Sequence, residues 1–389
     1  IPKDELSSLI EKSYSTFREK EVVKISNVGE IKLLELFHGP TLAFKDVAMQ
    51  FIGNLYEYYL SKNEKKINIV VATSGDTGAA AIDAIKGKLN LNIFVLHPNN
   101  RISSVQRKIM TTVEEKNVFN IAIEGNFDDC QNIVKSMFSD LEFSKSINMS
   151  GVNSINWARI ISQTVYYFYS YFKLDKEYIS FSVPTGNFGD VFAGYLAKKM
   201  GLPIDKLIVA TNENDILHRA ISKGDYVSRE VKETLSPSMD IQLASNFERL
   251  IYYINNSDSK ITANIMKKIK QNSYKIENNN LAIVQKDFLS ESCNEKETLE
   301  VIKKIYEENN IILDPHTAVG VGAANKLSFN DCVVLSTAHP CKFPDATNNA
   351  INKYEKLPEE LQHVLGKNEN FQVLNNNTED VKKFVKSKA

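Results

Sequence analysis

Lys45 is the residue in this chain whose chemistry most needs explaining. Ala48, Met49 and Ile52 follow it at i+3, i+4 and i+7, and Leu42 and Thr41 precede it at i−3 and i−4. On a helix this stripe is largely apolar, so the lysine points inward. A buried ammonium is costly. It must lose its proton easily, find a partner, or be consumed in a covalent bond such as an imine to an aldehyde cofactor. The alternative is a lysine that snorkels to solvent from a half-buried helix. The preceding His38-Gly39-Pro40-Thr41 reads as a loop ending at a helix start, which puts Lys45 in the first turns.

Two glycine-rich turns follow buried strands and precede helices. They are Thr73-Ser74-Gly75-Asp76-Thr77-Gly78 and Thr185-Gly186-Asn187-Phe188-Gly189-Asp190. In such turns glycine lets the backbone approach a ligand, and N–H groups at the helix start face an anion. Each is a candidate anion cradle or simply a tight strand-to-helix connection. Neither has the GxGxxG or GxxxxGK[ST] spacing, so dinucleotide and P-loop nucleotide binding find no support. A third exit, Ser336-Thr337-Ala338-His339 after Cys332–Leu335, offers hydroxyls at the end of a buried strand. Arg101 and Arg159 are cations on segments that could fork onto phosphate or carboxylate, or sit in surface salt bridges.

The elements that must position these residues follow a repeating pattern of strand, turn and helix. Strands are expected at Ile67–Val71, Ile93–Leu96, Val118–Ile123, Tyr178–Val183, Leu207–Ala210 and Cys332–Leu335. Helices are expected at Leu42–Leu60, Ala79–Ile85 and Trp157–Phe172, the last apolar nearly all round and read as a core helix wedged between domains. The fold class is α/β, with mostly parallel sheets covered on both faces by helices. The expected division is an N-terminal helical remnant over 1–30, a large domain over 31–65 and 166–389, and a smaller domain over 66–165. The polar stretch from Asn255 to Glu300 reads as surface helices, and the Asn-rich tail after Gly366 as partly loose. His316, in Asp314-Pro315-His316-Thr317, reads as a helix start of open role.

Composition excludes several classes. The chain has 389 residues, 43% hydrophobic and 24% charged, with 47 Lys and Arg against 48 Asp and Glu. That is a globular composition with no charge bias toward nucleic acid or an anionic membrane. No apolar run is long enough for a membrane helix. The four cysteines, Cys130, Cys293, Cys332 and Cys341, lack metal-ligand spacing, so no metal site is expected and the thiols read as buried in a reducing, cytoplasmic setting.

Taken together the motifs resemble threonine synthases of the fungal and bacterial type. The residues that carry the resemblance are His38–Asp46, Ala72–Ala80, Asn153–Asn156, Val183–Asp190, Ala210–Asn212 and Thr337–Pro340. The resemblance implies a fold type II pyridoxal-phosphate enzyme, with two α/β domains around a cofactor cleft. It implies that Lys45 is the Schiff-base lysine of pyridoxal 5'-phosphate, that Gly186, Asn187, Phe188, Gly189 and Asp190 wrap the cofactor phosphate, and that Thr337 faces the pyridine nitrogen. Ser74, Gly75, Asp76 and Thr77 would receive the substrate carboxylate, and Asn153, Ser154 and Arg159 the substrate phosphate. The implied reaction converts O-phospho-L-homoserine and water to L-threonine and phosphate, in a monomer or homodimer. Family members carry further residues, including a glycine-rich segment, before the point matched by Ile1. Two rival readings are a phospho-lyase that releases 2-oxobutyrate and a non-catalytic anion-binding protein of the same fold.

Overall fold

A computed structural model describes residues 1–329 and 331–389. Its strands are β1 (Lys24–Val28), β2 (Ile31–Glu35), β3 (Ile67–Ala72), β4 (Leu91–Pro98), β5 (Val118–Glu124), β6 (Met149–Ser150), β7 (Ile179–Pro184), β8 (Ile204–Thr211), β9 (Phe288–Ser292), β10 (Val333–Ser336) and β11 (Gln372–Asn375). The chain divides into two compact units. One comprises Ile1–Val22, His38–Arg159 and Lys356–Ala389, the other Val23–Phe37 and Ile160–Glu355.

The first unit is built on a parallel sheet in the order β11-β5-β4-β3-β6. On one face Val70, Phe94, Leu96, Ile121 and Ile123 pack with Ile133, Met137, Val381 and Val385 from the helices Phe127–Ser139 and Thr378–Lys388. On the other face lies the Asp76–Ile85 helix, which comes so close that a Cβ on Gly78 would sit 2.9 Å from Val95 Cγ1 and 2.6 Å from Thr73 Cγ2. Burial runs nearly unbroken along β3, β4 and β5, as a parallel sheet covered on both faces requires.

The second unit carries the sheet β1-β2-β10-β7-β8-β9, parallel except for the β1–β2 hairpin. The Pro315–Lys326 helix lies on one face. Ser182 Oγ donates to the Gly320 carbonyl at 2.7 Å, and a Cβ on Gly320 would be 2.9 Å from Val334 Cγ1. The Gly189–Lys199 helix lies where Gly194 again permits close packing, a Cβ there meeting Tyr167 at 2.7 Å and Leu207 at 2.9 Å. The α/β class with helices on both faces is therefore the observed architecture.

Several expectations are refined. The six expected strands are present with shifted ends, while β1, β2, β6, β9 and β11 add to them. The expected Leu42–Leu60 helix runs from Lys45 to Lys62, because Leu42 has φ +63° and cannot be helical. The two units differ from the expected domain ranges: 38–65 and 356–389 both group with 66–159. The reasons are local, since β11 pairs with β5 and Gly53 of the Lys45–Lys62 helix sits against Ala84 of the next. The Asn-rich tail is not loose, because its helix buries Val381 and Val385 completely. Nor is Trp157–Leu174 a core helix all round. Tyr166 and Tyr167 are buried, but Ile161, Val165 and Phe172 are 42%, 60% and 72% exposed.

Candidate active site

Lys45 is the first residue of its helix and only 8% exposed. The loop before it is tied down by Asp46, which accepts the Thr41 N–H at 2.7 Å and the Thr41 hydroxyl at 2.6 Å. Gly39 is required here, since a Cβ would lie 2.4 Å from Asp46 Cβ. The lysine Nζ lies 3.3 Å from Asp76 Oδ2, and Asp76 is 3% exposed. The inward lysine is thus a paired one, not a snorkelling one. Asp76 Oδ1 accepts the Gln106 Nε2–H at 2.8 Å.

Asp76 belongs to the first glycine-rich turn, where two amides are taken up internally while those of Ser74 and Thr77 donate to no protein acceptor among the described residues. The hydroxyl of buried Thr73 accepts the N–H of Gly75 at 2.9 Å and of Gly78 at 2.8 Å. Gly75 has φ +133°, a conformation only glycine adopts readily, and its α-carbon faces the Gln106 side chain. Of the residues expected to receive a substrate carboxylate, Gly75 therefore has its amide committed. The Asp76 carboxylate is itself an anion, so its side chain repels rather than receives another. Ser74 and Thr77 retain hydroxyls at the same turn. Because β6 pairs with β3, the Gly151–Asn156 loop leaves the sheet from the same end. There Asn153 is exposed and its carbonyl accepts the Asn156 N–H at 3.0 Å; Ser154 is half-buried. Arg159 is buried, with Nη1 donating to the Val152 carbonyl at 3.1 Å, while Arg101 is exposed. A separate groove of about 780 Å³ on this unit, lined among others by Ile82, Lys86, Asn117 and His363, contains none of the expected site residues.

The second turn is open. Gly186, Asn187 and Phe188 precede the Gly189–Lys199 helix, and their N–H groups donate to no protein acceptor among the described residues. A Cβ on Gly186 would lie 2.5 Å from the Ser238 carbonyl oxygen. Phe188 takes φ +63° and buries its ring against Phe247, so only its main chain can serve a ligand. The Asn187 carbonyl accepts the Asn246 N–H at 3.1 Å. Ser238 in turn donates its N–H to His316 Nε2 at 3.3 Å, while His316 Nδ1 lies 2.9 Å from Asp314 Oδ1. With Nε2 accepting, Nδ1 carries the proton and donates to Asp314. His316 thereby braces the segment against which Gly186 rests.

Asp190 sits one residue into that helix and turns away from the loop. Its Oδ1 accepts the hydroxyls of Tyr166 at 2.5 Å and Tyr167 at 2.9 Å, and Oδ2 is buried with no partner among the described residues. Burial pushes its carboxyl up to about 6, against the lowering effect of the two hydroxyls. Both phenols are held well above their ordinary range, by burial first and by Asp190 second. Thr337 is buried at the end of β10, which pairs with β7, so it leaves the sheet at the same end as Thr185 and Gly186. Within the second unit, three open amides at a helix start and a glycine with no room for a side chain are a donor set suited to a phosphate.

The comparisons with known proteins agree with this chemistry. The sequence pattern described as "Pyridoxal-phosphate dependent enzyme" matches residues 24–337, and that described as "Threonine synthase, C-terminal" matches 317–385. Threonine synthase of Saccharomyces cerevisiae is 48% identical over an alignment covering 94% of this chain and 80% of the yeast protein. The chain belongs to the threonine synthase family. The Pseudomonas aeruginosa threonine synthase is 44% identical, with 98% of this chain and 83% of that protein covered. The solved pyridoxal-phosphate-bound threonine synthase of Brucella melitensis superposes with a TM-score of 0.96 at 45% identity, covering 100% of this chain and 85% of that one. As a threonine synthase family member the chain is a pyridoxal-phosphate-dependent lyase of threonine biosynthesis. Among the described residues no helix is long and apolar enough to cross a membrane, and no cluster of metal ligands occurs. The four cysteines are buried and free, and burial pushes the thiols of Cys130, Cys293 and Cys332 up to about 12.

Reasoning from sequence missed Gln106 as part of the site, and it read Thr73 only as part of the first turn and Tyr166 and Tyr167 only as core. Thr73 alone left a signal, as a hydroxyl residue directly before a Ser-Gly turn.

Proposed function

We propose that this chain converts O-phospho-L-homoserine and water to L-threonine and phosphate with Lys45 as both tether and base. The observation that carries the reading is the buried Lys45 amine held beside Asp76 at a helix start. When bound, pyridoxal 5'-phosphate supplies an electron sink for the charge left at the substrate Cα. Lys45 would hold the cofactor covalently at rest. As a free amine, Lys45 would take the Cα proton and later move protons at Cβ and Cγ. Phosphate leaves from Cγ, and water adds at Cβ.

The Gly186, Asn187 and Phe188 amides, with Gly189 at the helix start, would hold the cofactor phosphate, with Asp190 fixing the loop from behind through the two tyrosines. The neutral Thr337 hydroxyl would partner the ring nitrogen and leave it less protonated than a carboxylate would. Ser74 and Thr77 present hydroxyls to the substrate carboxylate, while Asn153, Ser154 and Arg159 receive the substrate phosphate, where fixed donors avoid solvent reorganisation. In this reading the enzyme works as a monomer or homodimer in the cytoplasm, to be checked by sedimentation and cell fractionation.

The test is a product assay. Purified protein incubated with pyridoxal 5'-phosphate and O-phospho-L-homoserine should form threonine and phosphate in equal amounts. Predominant 2-oxobutyrate would make it a phospho-lyase, and no turnover by a protein that takes up no cofactor would reject catalysis. Borohydride should fix the cofactor on the peptide containing Lys45.

A further inference from the structure

The Lys45 amine faces a carboxylate that the reaction as written does not use. Asp76 divides its two oxygens: Oδ2 lies 3.3 Å from Lys45 Nζ, and Oδ1 accepts from Gln106 Nε2 at 2.8 Å. Gln106 is 3% exposed and reaches this position because Gly75 has no side chain; a Cβ there would lie 2.7 Å from the Gln106 Cδ and Nε2. The Gln106 main chain is fixed as well, its N–H donating to the Ser103 hydroxyl that caps the Ser104–Thr111 helix at 3.2 Å. Lysine, aspartate and glutamine thus form a buried line drawn from three helices. Its geometry depends on one glycine at φ +133°.

We propose that Asp76 is a second catalytic residue, the group that exchanges a proton with the Lys45 amine, and that Gln106 is the positioning residue that aims its carboxylate. This rests on the reading of Lys45 as the base. A lysine can accept the Cα proton only as a neutral amine. In a dry site the surplus proton needs a nearby home, because an uncompensated buried charge is strongly disfavoured. In the step, one N–H bond of the Lys45 ammonium breaks and one O–H bond forms on Asp76 Oδ2. The pair passes from ammonium and carboxylate to amine and carboxylic acid. Its summed charge is zero before and after, so no buried net charge appears. The amine then accepts the substrate proton and later returns it to the substrate; only then, as a neutral amine again, does it take back the Asp76 proton, which resets the pair. Gln106 donates to Oδ1 in both states, which keeps Oδ2 toward the lysine.

The experiment uses the full chain with and without cofactor, comparing wild type, Asp76→Asn and Gln106→Leu. In cofactor-free protein the rate of Lys45 acetylation by acetic anhydride at neutral pH is read by peptide mass spectrometry relative to the other lysines. Loss of the facing carboxylate should raise that relative rate about tenfold, since the charged amine loses its counter-charge. In the loaded enzyme Asp76→Asn should lower kcat by roughly 10²–10⁴-fold with KM changed less than about threefold. Gln106→Leu should shift both readouts in the same directions by smaller factors. An Asp76→Asn protein with unchanged Lys45 labelling and kcat within about threefold of wild type overturns the proposal. A Gln106→Leu protein indistinguishable from wild type overturns the positioning role. If Asp76→Asn does not fold by circular dichroism, Gln106→Leu, altered on a different helix, carries both readouts. The labelling needs no cofactor, so failure of Lys45 as the cofactor lysine would show separately, as borohydride fixation on another peptide.

Discussion

The two glycine-rich turns read alike in sequence but spend their donors and their acidic side chains differently. At Thr73–Gly78 a buried threonine hydroxyl absorbs two of the amides, and the one acidic side chain is spent on Lys45. At Thr185–Asp190 three amides stay open, and the one acidic side chain is drawn backward to Tyr166 and Tyr167. A strand, a glycine turn and a helix start make an anion site only when nothing inside the turn consumes the donors. In the proposed reading the first turn's carboxylate serves the lysine, and the second turn's amides serve the cofactor phosphate.

This contrast can be broken in several ways. The largest effect is expected from Lys45→Ala, which should cut threonine formation more than about 10⁴-fold while leaving the circular dichroism spectrum intact. Retained turnover would remove the lysine from the first turn's account. Next come the paired glycine variants. Gly186→Ala forces a Cβ to 2.5 Å from the Ser238 carbonyl. It should destabilise the fold by about 1–3 kcal/mol. It should also weaken pyridoxal 5'-phosphate binding by roughly tenfold or more, read by cofactor fluorescence titration. Gly75→Ala should disturb Gln106 and lower kcat while leaving cofactor affinity near wild type. Equal loss of affinity in both would erase the proposed division of labour.

A smaller effect concerns Asp190, whose carboxyl is raised to about 6. A raised folded value means that protonation favours the folded state. The contribution is fully present below about pH 4, where the unfolded group also titrates, and is lost as pH rises through 6. Urea unfolding of cofactor-free protein should therefore show Asp190→Asn less sensitive to pH between 4 and 7 than wild type, by about 1–3 kcal/mol. Parallel pH curves for the two proteins would show that Asp190 is already ionised in the fold. Smallest of all is Phe172→Ser on the exposed face of Trp157–Leu174, where 72% exposure predicts a change within about 0.5 kcal/mol by the same unfolding assay. A loss of several kcal/mol would mean that this face is covered in solution.

That helix shows where pattern reading stops. Its aromatic run looked like core throughout, yet Ser162, Gln163, Thr164 and Ser170 are buried while Ile161, Val165 and Phe172 face outward. Hydrophobicity predicts that some face is buried; it does not predict which when apolar residues occur all round. The Asn-rich tail failed in the opposite sense. Alternation too weak to read as a strand became β11, because β5 offered it an edge and Val381 and Val385 gave the following helix an anchor.

By itself the sequence determined what depends on local chemistry: the β-strand, glycine turn and helix repeats, the apolar stripe around Lys45, and motifs that make the chain a threonine synthase family member. Those features are set by neighbours a few residues apart, which is the range over which periodicity and turn chemistry act. Only the tertiary structure decided that Lys45 faces Asp76, that Gln106 aims that carboxylate from 30 residues away in sequence, and that Asp190 serves two tyrosines 24 and 23 residues before it. Each of these is a buried polar group choosing a partner. That choice is made by whichever donor the packed helices bring within hydrogen-bond distance, because leaving such a group unpaired costs more than any local preference.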